Sequence, residues 1–278
     1  MAEPFVKWAG GKRQLLEEIH ARLPKDLDEH KYYEPFVGGG ALLFNLEHGN
    51  AVINDMNWAL VNVYRQLQGD MGVIVMSLLD MMDDDLRARG KEYYYEVRTR
   101  FNQGLSEHDE TTPMAAMFIF LNKHCFNGLY RVNRKGEFNV PYNNSTASSH
   151  DPDNMLKILK FLKSVEIRQG DFEDACRDCT AGDFVFFDSP YAPLKDDSFD
   201  SYTKEGFPKE DHERLASLFK RLADKGVRCM LTNHDTPFIR DLYKDFKIET
   251  VNVKRSINRN ASGRTGTELI VTSYLTWH

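Results

Sequence analysis

Asp183-Phe-Val-Phe-Phe-Asp-Ser-Pro-Tyr191 constrains this chain more than any other stretch. Asp183 to Phe187 reads as a short apolar strand of the kind buried in a parallel sheet. The run ends at Asp188, and in an open α/β sheet ligands bind just beyond the carboxyl ends of the strands. Asp188 therefore stands where chemistry is expected. Pro190 fixes its own φ and biases Ser189 towards extended geometry, so the turn offers backbone carbonyls from a stiff frame. Tyr191 adds a flat aromatic face. A carboxylate, a carbonyl and a ring suit a planar amine such as the exocyclic NH2 of a nucleobase. The same residues also fit a strand ending in an ordinary turn, so the rest of the chain must decide.

Upstream, Tyr32-Tyr-Glu-Pro-Phe36 is predicted as a strand, followed by Val37-Gly-Gly-Gly-Ala41 and a helix through Leu46. A glycine-rich turn between strand and helix lets a ligand approach the backbone. The three glycines do not match G-x-G-x-x-G, so a dinucleotide fingerprint is not supported. The next strand, Ala51 to Asn54, ends at Asp55, where an acid can accept from both ribose hydroxyls. Turn and acid together point to a nucleoside-bearing cofactor. Near the N-terminus, Lys7-Trp-Ala-Gly-Gly-Lys12 reads as a tight turn opening a helix over Arg13–Arg22. Trp8 there is either a stacking face or a buried ring.

From Asn57 the pattern turns helical, with helices predicted over Trp58–Gln68, Val73–Met82, Lys91–Asn102 and Pro113–His124. This reads as a helical insertion in an α/β domain. It closes on Phe126 to Tyr142, where two alternating runs flank Lys135-Gly136 as a β-hairpin. Arg131 and Asn133 would share one face, and a ribbon carrying Arg and Asn can enter a DNA major groove. A surface hairpin with polar decoration is the plain alternative. A helix over Asn154–Leu162 and a strand over Ser164–Arg168 follow, and Asp171 falls just after that strand, where it could read an adenine edge. After Tyr191, a polar loop from Lys195 to Phe207 has the composition of a lid. Helix Lys209–Lys225, strand Val227–Thr232, helix Pro237–Tyr243 and strands Lys247–Val253 and Glu268–Thr276 complete the alternation.

Composition narrows the class. Net charge is −6 over 278 residues, against a generally basic nucleic-acid coat. Local basic clusters remain at Lys123, Arg131, Arg134 and Lys135, and at Lys254, Arg255, Arg259 and Arg264. No apolar run approaches a membrane span and Met-Ala-Glu-Pro lacks a signal pattern, so a cytoplasmic protein is expected. Cys176 and Cys179 form a lone C-x-x-C without a second ligand pair, so all four cysteines read as free thiols and no metal is expected.

Taken together, these motifs resemble the Dam-type DNA adenine-N6 methyltransferases of the alpha group, close to their GATC-methylating members. The resemblance spans nearly the whole chain, in the order Lys7-Trp-Ala-Gly-Gly-Lys12, Glu34-Pro-Phe-Val-Gly-Gly-Gly-Ala41, recognition insertion, then the Asp-Pro-Pro-Tyr-type motif. It implies a Rossmann-like methyltransferase sheet from residues 1–56 and 151–278, with a helical target-recognition domain at 57–150 carrying the hairpin. It implies S-adenosyl-L-methionine as methyl donor, held by Trp8, Lys12, Glu34, Phe36, Gly38, Gly39, Gly40, Asp55, Asp171 and Asp188. It places Asp188, Ser189, Pro190 and Tyr191 at the chemistry. Contacts to double-stranded DNA fall to Lys7, Phe126, Asn127, Leu129, Arg131, Pro141 and Arg255. A monomer acting by base flipping, with no metal and no membrane, is expected.

Two positions depart from the pattern. Ser189 stands where the family has its first motif proline, and Asn144 replaces an arginine that would touch a phosphate. Two other functions compete with adenine methylation. One is a DNA-binding relative disabled by Ser189. The other is methylation of cytosine N4, since the same pocket can hold another exocyclic amine.

Overall fold

The computed structural model describes residues 1–8, 15–194, 207–254 and 265–275. Its strands are β1 (Tyr32–Glu34), β2 (Ala51–Asp55), β3 (Glu166–Gln169), β4 (Phe184–Phe187), β5 (Arg228–His234), β6 (Lys247–Lys254) and β7 (Thr265–Thr272). They form one sheet in the order β3-β2-β1-β4-β5-β7-β6. β1 pairs in parallel with β2 and β4, and β4 with β5, while β7 runs antiparallel between β5 and β6. The apolar run around Phe184 is the central strand expected, and all four of its residues are completely buried. The order of strands reverses between β1 and β4. In open α/β sheets ligands bind beyond the carboxyl ends of the strands at such a reversal.

The helices in chain order are α1 (Leu16–His20), α2 (Ala41–Leu46), α3 (Trp58–Gln68), α4 (Gly72–Arg89), α5 (Lys91–Glu107) and α6 (Thr112–His124). α7 (Pro152–Leu162), α8 (Phe172–Ala175), α9 (Lys209–Asp224) and α10 (Pro237–Leu242) follow. Their starts are written locally. Asn57 Oδ1 accepts from Ala59 N and Leu60 N, and Asp151 caps α7 with Pro152 in its first turn. α4 runs past the predicted end at Met82 because Leu86 keeps its buried face going through the run of aspartates. Gly90 stops it.

The chain divides into two compact units, residues 1–11, 37–49 and 54–170, and residues 12–36, 50–53 and 171–278. In the first, α3, α4 and α5 pack on α6. Residues Met114 to Asn122 of α6 are all buried, as a helix apolar on every side requires. In the second, Leu215, Leu218, Phe219 and Leu222 of α9 join Phe187, Leu231 and Tyr243 in one core. Among the described residues no helix is long and apolar enough to cross a membrane, and no group of acids, histidines and cysteines could hold a metal. All four cysteines are free and buried.

The predicted hairpin is looser than a ladder. Only single bridges, Cys125 to Tyr142 and Val132 to Phe138, pair its arms. A helix side chain covers the outward-facing backbone of the second arm. Asn102 of α5 accepts from Phe138 N at 2.7 Å and donates to Phe138 O at 3.1 Å. Asn133 does not face outward as a base reader. Its Oδ1 accepts from Lys135 N and Glu137 N and closes the turn.

Candidate functional site

In the second unit, Asp188 follows β4 and is half-buried. Thr232 Oγ1 donates to its Oδ1 at 3.1 Å. Tyr191 is held at both ends of its ring. Its phenol donates to Glu268 Oε2 at 2.7 Å, and His234 meets the ring edge-on at 4.9 Å between centroids. Burial, then the charges of Asp188 and Glu268, keep the phenol protonated far above neutral pH. Ala192 N donates to Asn233 Oδ1 at 2.9 Å, and His234 Nδ1 donates to Ala192 O at 2.7 Å. A carbonyl can only accept, so Nδ1 carries the proton. Thr232, Asn233 and His234 are consecutive at the end of β5 and hold the Asp188–Ala192 loop at Asp188, Tyr191 and Ala192.

From sequence alone Asn233-His-Asp235, just past the strand expected at Val227–Thr232, has no assigned role. The signal was present, since it follows a strand parallel to β4 just as Asp188 does. Glu268 carried no signal at all.

Ser189 is 2% exposed and its Oγ has no hydrogen-bond partner among the described residues. Among the described residues the hydroxyl therefore holds nothing in place. On the activity that the sequence resemblance implies, Ser189→Pro is expected to preserve or raise the methylation rate, because proline restricts the turn before substrate arrives. Single-turnover methylation of one oligonucleotide at saturating donor measures this. A large rate loss in a folded Ser189→Pro protein would show that the serine amide has its own role.

Glu34 lies at the end of β1, 3% exposed, and accepts from Tyr32 Oη at 2.7 Å. Phe36 packs on Phe172 and, edge-on, on Phe207. Asp171 caps α8 by accepting from Glu173 N at 2.9 Å. Arg214 Nη2 bridges both Asp171 oxygens at 3.0 Å, with its guanidinium over the Phe172 ring. A carboxylate offers about four lone-pair sites, so Asp171 retains acceptor capacity on Oδ2.

In the first unit, Gly38 and Gly40 adopt φ of +48° and +70°, which disfavours any side chain there. The space is also taken. A Cβ on Gly38 would lie 2.6 Å from Trp8 Cδ1, and one on Gly40 2.8 Å from Tyr64 Oη. Gly38 N donates to Asp55 Oδ2 at 3.0 Å and Asn57 N to Oδ1 at 2.9 Å. Burial raises the Asp55 carboxyl against the lowering effect of these bonds. Trp8 stacks near Tyr130 and Phe118, so it is a packed ring with one part still open.

Lys7 and the hairpin's first turn are tied together by Asn122. Its side chain accepts from Lys7 N and donates to Lys7 O and Gly128 O, at 2.8 to 3.0 Å. Gly128 is obligatory here, since a Cβ would meet Lys7 Cβ at 2.5 Å. Phe126 is 53% exposed, and Lys7, Asn127, Arg131 and Pro141 are exposed as well. Leu129 is half-buried. Arg131 Nε donates to Asn139 Oδ1 at 2.8 Å, which sets the guanidinium plane. Asn144 sits at φ +61°, a conformation asparagine tolerates better than arginine, which accounts for that departure. Lys12, Arg255 and most of the 195–207 loop lie outside the described residues.

Behind the hairpin a buried cluster joins three segments. His124 Nδ1 faces Ser145 O at 2.9 Å, and Nε2 faces Asp83 Oδ1 at 3.2 Å and Ser149 Oγ at 3.0 Å. Ser149 Oγ spends its proton on Asp83 Oδ1 at 2.5 Å. Both ring nitrogens of His124 are thus engaged, and the ring ties α6 to Asp83 and to the Ser145–Ser149 segment.

Residues 8–257 match the family described as D12 class N6 adenine-specific DNA methyltransferase. Similar proteins include the Type II methyltransferase M.MjaIII of Methanocaldococcus jannaschii, 43% identical over 98% of this chain and 99% of that one. The Type II methyltransferase M1.LlaDCHI of Lactococcus lactis subsp. cremoris is 42% identical over 98% of this chain and 95% of its own. The DNA adenine methylase of Serratia marcescens is 30% identical over 97% of each chain. With a strand-end acid and a braced tyrosine where such chemistry belongs, and with relatives matched from end to end, the chain belongs to the D12 class of N6 adenine-specific DNA methyltransferases.

Proposed function

We propose that this enzyme methylates adenine N6 within GATC in double-stranded DNA, with the target base turned out of the duplex onto Tyr191. The observation that carries the reading is the loop beyond β4, where Asp188 and Tyr191 are each held by β5 or β7 side chains before any substrate arrives. The adenine N6 lone pair is delocalised into the ring and is a poor nucleophile. Hydrogen bonds from the two N6 protons to Asp188 and to the carbonyl of Ser189 favour a more pyramidal nitrogen. These contacts strengthen as positive charge develops on N6, the differential stabilisation that catalysis needs. Asp188, already bonded to N6, is placed to accept the proton that the methylated nitrogen sheds. N6 is out of reach inside the duplex, so the base must leave the stack, and the Tyr191 face receives it.

S-adenosylmethionine, when bound, supplies an electrophilic methyl on a sulfonium. Members of a methyltransferase family use this donor in general. The residues present fit such a group. In the first unit these are the bare Gly38–Gly40 backbone and Asp55, whose carboxylate keeps acceptor capacity for ribose hydroxyls, with Trp8 beside them. In the second unit Glu34, Phe36 and Asp171 take the same assignment.

The GATC reading rests on the Asn127-Gly-Leu-Tyr-Arg131 stretch, with Phe126, Asn127, Leu129, Pro141 and Lys7 proposed at the duplex. Arg131 would read a guanine through O6 and N7. Arg131→Ala is expected to cost about 1–3 kcal/mol of discrimination at one guanine and to change non-cognate binding much less. If cognate and non-cognate affinities fell equally, Arg131 would be a phosphate contact.

The whole reading is tested by methylating a plasmid with tritiated donor, then digesting it with paired enzymes sensitive and insensitive to GATC methylation. Nucleoside analysis should show N6-methyladenine and protected GATC sites. N4-methylcytosine in the product, or DNA binding without transfer, would overturn it.

A further inference from the structure

The motif loop of this chain lacks the stiffening of a second proline, yet it is not held by its own serine. The Ser189 hydroxyl is buried and without a partner among the described residues. What holds the loop comes from other strands. Thr232 binds Asp188, Asn233 and His234 bind the two backbone groups of Ala192, and Glu268 binds the Tyr191 phenol. Glu268 and His234 stand directly opposite each other where β7 pairs with β5. Residues so paired lie side by side on one sheet face. The pair therefore contacts Tyr191 at two points, the carboxylate at its hydroxyl and the imidazole in a T-shaped contact with its ring. This leaves the orientation of the aromatic face little freedom.

We infer that Glu268 is a positioning residue for methyl transfer, acting through Tyr191 to fix the plane on which the target base stacks. The inference rests on the proposed role of Tyr191 as the stacking surface. The phenol remains a hydrogen-bond donor throughout the working pH range, because burial and the neighbouring carboxylates raise its ionisation. Glu268 itself touches neither base nor donor in this account. It restricts the ring before the base arrives, so less ordering is needed at the reacting centre. A stiff aromatic platform held by β7 takes over part of what the missing proline would supply.

The test is a double-mutant cycle on the intact enzyme with a GATC oligonucleotide. Single-turnover methylation is measured for Glu268→Ala, Glu268→Gln, Tyr191→Phe and the Tyr191→Phe/Glu268→Ala pair. Donor affinity is followed by calorimetry, and base placement by fluorescence of 2-aminopurine at the target position. Glu268→Ala and Tyr191→Phe should each slow the reaction by roughly tenfold to a hundredfold, the scale of one hydrogen bond to a charged group. The double variant should be no slower than either, since both remove the same contact. Glu268→Gln keeps an acceptor oxygen and should recover most of the rate. Donor affinity should stay unchanged, and the 2-aminopurine signal should change in Glu268→Ala and Tyr191→Phe alike.

Additive losses in the double variant, or a Glu268→Ala enzyme at wild-type rate, would overturn the inference. Tyr191→Ala separates this failure from failure of the underlying reading. A slow Tyr191→Ala enzyme beside a fast Glu268→Ala enzyme leaves Tyr191 in the mechanism and removes Glu268 alone. A fast Tyr191→Ala enzyme removes both. Thermal melts of all variants identify any that has lost its fold, and Glu268→Gln then carries the comparison.

Discussion

Asp188→Ala is expected to lower single-turnover methylation by about 10³-fold or more while the protein stays folded. Removing one preorganised electrostatic partner of a transition state costs on the order of 10²–10³-fold. Asp188 does two things in the proposed reaction, holding N6 and receiving its proton, so the upper end applies. The cost to the fold is small by comparison. Asp188 is half-buried, and its loss removes one of the partners of the buried Thr232 hydroxyl, which still has Tyr191 beside it, a penalty of about 1 kcal/mol. Asn233 and His234 still hold the loop at Ala192. Rapid-quench methylation with a thermal melt on the same preparation tests both halves. Normal turnover by a folded variant would remove Asp188 from the mechanism.

Asp83→Ala is expected to have the largest effect on stability, a loss of about 3–5 kcal/mol, because it removes the buried partner shared by His124 Nε2, Ser149 N and Ser149 Oγ. Asp83 and His124 are both completely buried, and the pair joins α4, the end of α6 and the segment at Ser145–Ser149. α6 leads directly into Phe126, and Asn143 N returns to His124 O at 2.9 Å. The clamp thus closes both ends of the hairpin that carries Arg131. Loosening it should reduce discrimination between cognate and non-cognate DNA as well as stability. The sign with pH follows from the ionisation of Asp83. Burial alone would raise the carboxyl, but hydrogen bonds from His124 and from Ser149 N and Oγ outweigh it, and the net position is lowered. A lowered folded-state value stabilises the protein above the ordinary carboxylate range, and the contribution is lost as pH falls through the lowered value. Denaturant titrations at a series of acid pH values should therefore be flatter for Asp83→Asn than for the parent. Equal slopes would mean that Asp83 contributes no linkage.

The hairpin shows where local patterning stops being informative. Alternation from Tyr130 to Phe138 marks two arms and a turn, and the turn is where Lys135-Gly136 put it. Alternation cannot show that Asn102, on a helix 36 residues away, would bond the backbone of Phe138. Nor could it show that Asn133 would be spent on the turn itself. Phe126 and Asn127 became DNA-contact candidates through the family resemblance, and Arg131 through the alternation as well; all three side chains are exposed.

The sequence alone determined the central strand and the acid at its end. Four consecutive apolar residues from Phe184 to Phe187 suit a strand buried on both faces of a parallel sheet, and Asp188 then emerges at its carboxyl edge. It also determined the glycine turn, since a run of three glycines between strand and helix permits backbone angles that other residues resist. Only the tertiary structure decided what braces the acid and the tyrosine. Thr232 lies 44 residues beyond Asp188, and Glu268 lies 77 beyond Tyr191. Their approach depends on β5 lying beside β4 and on β7 inserting antiparallel between β5 and β6. Periodicity reports which face of a strand is buried, whereas a hydrogen bond between strands depends on sheet order and register, and these are set by the packing of the whole core.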